Sequence, residues 1–88
     1  MLRISVISES HEAIHLQLHG SLVGLWVEEL RRLGDEALSK EQSVTLDLKG
    51  VRFVDAQGLL LLRELTGRKV RHLNCSQFLL QQMKETSK

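Results

Sequence analysis

The chain contains no proline and no tyrosine, and one cysteine among its 88 residues. A single thiol, Cys75, cannot close an internal disulfide and fits a reducing compartment rather than the disulfide-stapled class of small secreted domains. No apolar run approaches the ~20 residues needed to cross a bilayer, which argues against direct membrane insertion. The first residues, Met1-Leu-Arg-Ile-Ser-Val6, begin a strand-like alternation instead of a charged head, apolar stretch and cleavage site. The expected location is therefore the cytoplasm. Asn74-Cys75-Ser76 matches a glycosylation sequon but carries no weight without a secretory leader.

Charge of either sign is also missing in excess. Twelve basic and eleven acidic residues give a net charge of +1, whereas nucleic-acid and anionic-membrane readers carry a basic surplus on one face. Arg63, Arg68, Lys69 and Arg71 form a locally basic run, but apolar and neutral residues interrupt it. Neither nucleic acid nor a membrane surface is expected as the main partner. There is no internal repeat and no low-complexity tract. A chain of this length is one domain, burying roughly 60–65% of its unfolded surface, with room for one core and one working surface.

What is present is alternation and helical spacing. Leu2, Ile4 and Val6 alternate with polar residues, as do Ile14, Leu16 and Leu18, and Ser8 to Glu12 separate the two sets. That pattern predicts a hairpin of half-buried strands with Gly20 ending the second. Ser21 then reads as the cap of a helix with an apolar stripe at Leu22, Trp26, Leu30, Leu33 and Ala37. Val44-Thr-Leu-Asp-Leu48 reads as a central strand, followed by a short connection. Asp55 is placed to cap a second helix through Thr66, with Gly67 just past its end. Val70 to Leu73 is a short fourth strand, Ser76 caps a last helix, and residues 85–88 are expected to be a flexible tail behind a single domain spanning 1–84. The order β-β-α-β-α-β-α implies an α/β fold, a mixed four-stranded sheet with helices packed against it. The first pair is antiparallel, and right-handed crossovers join the others in parallel.

Few groups offer chemistry. His11, His15 and His19 recur every four residues, but the interleaved Ile14, Leu16 and Leu18 demand a strand. Histidines four apart on a strand lie about 13 Å apart, too far for one zinc with ligand bonds near ~2.1 Å. Cys75 precedes a helix N-terminus, which would lower its pKa modestly, yet it reads better as a small core residue. Asp47 and Asp55 would both lie at the carboxyl edge of the sheet, but no nucleophile and no glycine-rich phosphate loop accompanies them. No catalytic constellation, metal site or cofactor site emerges, and the chain is not expected to be an enzyme.

The turn Asp55-Ala56-Gln57-Gly58 and the leucines after it remain. Gly58 in the first helical turn costs ~1 kcal/mol in helix propensity relative to alanine, and its use would be to let another backbone approach. Leu59, Leu62 and Leu65 are expected to face the core, leaving Leu60 or Leu61 toward solvent as a docking surface.

The segments Leu18-His-Gly-Ser-Leu22, Trp26-Val-Glu-Glu-Leu30, Leu46-Asp-Leu-Lys-Gly-Val51 and Phe53-Val-Asp-Ala-Gln-Gly-Leu59 resemble a STAS domain, the fold of bacterial anti-sigma-factor antagonists. The resemblance covers nearly the whole chain. It implies a regulator that binds an anti-sigma factor, usually a kinase, which ends the contact by phosphorylating a hydroxyl in the turn; a phosphate adds ~1.5–2 negative charges. Here the acceptor position falls on Gln57, beside Ala56, and neither can take phosphate. Ser21 and Thr66 are the hydroxyls expected near the same end. The implied partner-binding residues are Leu22, Val23, Gly24, Trp26, Asp55, Ala56, Gln57, Gly58, Leu60 and Leu61. Replacing Gly58 by glutamine is expected to weaken binding without unfolding the domain. The alternative is similarity to the small STAS subunits that bind the ATPase of lipid-transporting ABC systems, whose turn carries a threonine that this chain lacks. The open edge of the first strand would allow a homodimer, although Arg3 and the polar hairpin discourage open-ended pairing.

Overall fold

The computed structural model describes residues 2–85, with the backbone alone described for Phe78 and residues 83–85. The elements are β1 (Leu2–Glu9), β2 (Ala13–Leu22), α1 (Leu25–Ser39), β3 (Ser43–Val54), α2 (Ala56–Gly67), β4 (Arg71–Leu73) and α3 (Gln77–Glu85). They build one four-stranded sheet in the order β1-β2-β3-β4. The first pair is antiparallel, and β2–β3 and β3–β4 are parallel, the mixed sheet that the alternation predicts. Of the expected tail, Glu85 closes α3, and 86–88 lie outside the described residues.

Strand residues that are buried point to one side. Leu16, Leu18, Leu22, Val44, Leu46, Leu48 and Val54 join Leu30 of α1, Leu61, Leu62 and Leu65 of α2 and Leu79 of α3 in a single core. The alternate positions Arg3, Gln17, His19, Lys49 and Arg71 remain exposed. The period-two pattern thus gives a sheet with helices on one face and an open polar face on the other.

Three expectations shift. β2 does not end at Gly20 but runs through Leu22, so Ser21 is a strand residue and not a helix cap. Gly24 holds the cap position of α1 instead, with no side-chain cap bond. The buried face of α1 is accordingly Val27, Leu30, Gly34 and Ala37, with Trp26 and Leu33 half-buried on its flank. β3 continues six residues past Leu48, through the stretch expected to be a short connection. Register shifts against β2 at Gln17/His19 and Gly20/Ser21 absorb the irregularity. Bulges of this kind break the period-two signal while preserving the pairing.

Polar contacts close the ends. The buried Gln42 amide donates to Glu9 Oε2 (3.1 Å) and to Ser10 O (2.8 Å), tying the β1–β2 turn to the start of β3. Exposed ion pairs Arg31–Glu64 (2.6 Å) and Arg68–Asp35 (2.5 Å) link α1 to α2; pairs in water contribute little each. At the far end of α2, the Thr66 hydroxyl donates to Leu62 O (2.9 Å) and lies 3.1 Å from His72 Nδ1. With the hydroxyl hydrogen committed, Nδ1 carries the imidazole hydrogen and donates to Thr66. His72 Nε2 is then a buried acceptor without a partner, and burial lowers the His72 pKa from its ordinary 6.5.

That shift has a sign for stability. The unfolded chain takes up the His72 proton at a higher pH than the folded one, so acidification favours unfolding. The contribution of neutral His72 is complete above about pH 6.5 and is lost as the pH falls below it. Urea denaturation from about pH 7.5 to about pH 5.5 should show a falling midpoint, and His72→Gln should flatten the fall. An unchanged slope in that variant would assign the pH dependence elsewhere.

Candidate functional site

The end of β3 delivers Asp55 to the point where both long helices begin. Its backbone N–H donates to Leu22 O (3.2 Å). One carboxylate oxygen, Oδ1, accepts from Gly58 N (2.8 Å) and caps α2, as Asp-x-x-Gly predicts. The other, Oδ2, accepts from Gly24 N (3.0 Å), just before α1. One side chain therefore fixes the starts of two helices against each other, a double role the sequence reading did not foresee.

Gly24 and Gly58 serve this junction differently. Gly24 has φ 56° and ψ −126°, a region that L side chains rarely adopt, although the space around it is empty. Gly58 has ordinary helical torsions but no space. A Cβ there would lie 2.6 Å from Val54 Cγ1 and 2.8 Å from Leu22 O. The backbone that approaches Gly58 is thus the chain's own, at the end of β2. This corrects the expectation for Gly58→Gln, which would disturb folding before it reported on binding.

Of the expected contact residues, Leu22 and Leu61 are fully buried and Gly58 is buried, so none of the three offers a surface to a partner. Leu61 points into the core together with Leu62, and Leu60 is the leucine left at the surface, 49% exposed. Ala56 and Gln57 are exposed, and Val23 and Trp26 are half-buried. Leu25, which the sequence reading passed over, is 86% exposed at the first position of α1. Its signal lay in the Gly24 breaker, which makes Leu25 the helix start and turns it away from the stripe. Leu25, Ala56, Gln57 and Leu60 thus share one end of the molecule, held there by Asp55.

Other candidates separate. Asp47 lies on the open sheet face opposite Gln17 and accepts from Asn74 Nδ2 (2.9 Å) and Lys49 N (3.0 Å). These bonds hold its pKa below the ordinary carboxylate value. Eight residues of chain, roughly 25 Å when extended, separate it from Asp55, so the two do not form a carboxylate pair at one edge. Thr66 sits at the opposite end of α2 from the Asp55 turn, some ~16 Å along the axis, which corrects its expected placement. Ser21 is half-buried and pairs with Phe53. Burial raises the Cys75 pKa, opposing the activation expected from the following helix. Among the described residues no group of three metal-ligating side chains converges, and no helix is long and apolar enough to cross a membrane.

The profile of the family described as "Mlab, STAS domain" matches residues 5–84. The chain is a member of the STAS family. A solved structure, described as the anti-sigma factor antagonist SpoIIAA in its unphosphorylated form, superimposes with a TM-score of 0.70. The match covers 93% of this chain and 82% of that one at 21% sequence identity, a likeness of fold. No curated protein matches the chain.

Four substitutions test this geometry by urea denaturation. Asp55→Ala should cost about 1–2 kcal/mol through the lost cap. Gly58→Ala should cost about 1–3 kcal/mol through overpacking against Leu22 and Val54. Leu61→Ala should cost about 2–5 kcal/mol, while Leu60→Ala stays within about 0.5 kcal/mol of wild type. Equal losses at Leu60 and Leu61 would contradict the assigned helix orientation.

Proposed function

We propose that this STAS domain is a non-catalytic, phosphorylation-independent adaptor that docks on an anti-sigma factor or a related kinase-like regulator in a bacterial cytoplasm, and so acts in transcription control. The observation carrying this reading is the exposed apolar pair Leu25 and Leu60 beside Ala56 and Gln57, at a helix junction that Asp55 makes rigid. A rigid surface loses little conformational entropy on binding. Leu25 and Leu60 supply the apolar contact, Ala56 lets the partner come close, and Gln57 offers amide hydrogen bonds. Val23 and Trp26 border the patch. A kinase partner finds no hydroxyl at Ala56 or Gln57, so the complex has no phosphate-driven release at this turn.

A second reading is favoured by the family's description, which names MlaB. There the same surface would regulate the ATPase of a lipid-transporting ABC system.

Affinity purification from the native cytoplasm, with wild type beside Leu25→Asp and Leu60→Asp, separates the two. Recovery of a kinase-like anti-sigma factor with wild type only supports the adaptor, and recovery of a transport ATPase supports the second reading. Both variants alter exposed positions and should keep the wild-type melting temperature within a few degrees. Incubating the recovered regulator with ATP should leave the intact mass of this chain unchanged. A phosphate on the chain, or binding undiminished by both variants, would overturn the adaptor reading.

A further inference from the structure

The open face of the sheet, opposite the helices, holds a second concave surface. Arg3, His19, Gly20, Ser21 and Arg52 line a shallow basin of about 460 Å³. Arg3 stands directly opposite His19 in the β1–β2 pair. Arg52 reaches the same place because the register shift between Gly20 and Ser21 leaves it unmatched: Val51 pairs with Gly20 and Phe53 with Ser21. A bulge commonly re-aims a side chain in this way. The floor is low for two reasons. Gly20 has no side chain, and the His19 ring lies over Gly50, where a Cβ would come within 2.4 Å of His19 Nδ1.

The charge of this basin is one-sided. None of its lining residues is acidic. Arg31, Arg32 and Arg68 all have carboxylate partners, whereas Arg3 and Arg52 form no ion pair among the described residues. The acid on this face of β3, Asp47, faces Gln17 and is already engaged by Asn74 and Lys49. Two unpaired guanidinium forks thus converge with a serine hydroxyl and an imidazole in a chain of near-neutral net charge. A planar carboxylate is satisfied by one fork; a tetrahedral dianion presents oxygens to both forks and to the hydroxyl together.

We propose that the Arg3–His19–Ser21–Arg52 basin is a binding site for a phosphate monoester dianion carried on a small molecule. The two arginines each donate to different phosphoryl oxygens, Ser21 donates to a third, and the ester group leaves through the open mouth. Two cations in one hollow do not make the extended basic stripe that a nucleic acid needs. Being open to solvent, the site is screened by salt and binds weakly.

The test is a titration of the isotopically labelled chain with inorganic phosphate and with glycerol 3-phosphate, followed by amide NMR at constant ionic strength. Saturable shifts confined to Arg3, His19, Gly20, Ser21 and Arg52, with a Kd of about 1 mM, are expected for at least one probe. A tighter response to glycerol 3-phosphate assigns the site to an ester; equal responses assign it to the phosphoryl group itself; both support the proposal. Arg3→Gln/Arg52→Gln should weaken binding by about tenfold or more, while Arg71→Gln, an exposed arginine elsewhere on the sheet, should not. Shifts reproduced by sodium chloride alone, or undiminished in the double variant, would overturn it. So would flotation with phosphatidylglycerol vesicles in the absence of any saturable response to the soluble probes.

Discussion

The end of the domain where α1 and α2 begin depends on the Asp55 carboxylate. Its two oxygens take hydrogen bonds from Gly58 and Gly24, and its own N–H reaches Leu22 O. Strand β3, the end of β2, and the starts of α1 and α2 meet there through one residue. Neither glycine alone could set this arrangement. Gly24 supplies a backbone angle and Gly58 a missing side chain, and the carboxylate holds both segments in place. The exposed leucines on either side are therefore positioned by polar contacts beneath them, not by contacts of their own.

The sheet divides the molecule into two chemically different surfaces. On one side the helices complete the core, with Leu25 and Leu60 left exposed near the starts of α1 and α2. On the other, strand positions remain bare, and bulges rather than loops shape the surface. The same irregularities that carry β3 to Asp55 also bring Arg52 beside Arg3 and His19. A single device, extra residues in β3, thus serves both ends of the strand's function. STAS membership and the SpoIIAA-like fold describe the scaffold that carries both surfaces.

How much was legible in the sequence follows from where its periodicities hold. Leu2, Ile4 and Val6 and Ile14, Leu16 and Leu18 keep strict alternation, and they gave the hairpin; Leu2, Leu16 and Leu18 are buried as the pattern implies, whereas Val6 at the sheet edge is exposed. Asp55 announced its cap through the glycine three residues on. The rest failed for local reasons. The alternation breaks after Leu48, so the second half of β3 read as a connection, hidden by its bulges. Starting α1 at Ser21 drew Leu22 and Trp26 into the stripe and concealed Leu25, although Gly24 was the real boundary. Four consecutive leucines cannot by themselves say whether Leu60 or Leu61 is outside; packing against the sheet decides it. Spacing showed that something must approach Gly58, but not that Leu22 of the same chain does so.

The Gly24–Asp55 bond also has a consequence for how the chain is assembled. It joins residues 31 positions apart, whereas the hairpin closes locally at Glu9 and Ile14. Loop-closure entropy makes the distant contact about 1–2 kcal/mol harder to initiate than the hairpin. The hairpin and α1 can therefore form as local structure before β3 arrives, while the helix junction exists only once the parallel crossover is complete. The surface proposed for partner binding is thus among the last parts of the molecule to acquire its shape, and a partially folded chain does not present it.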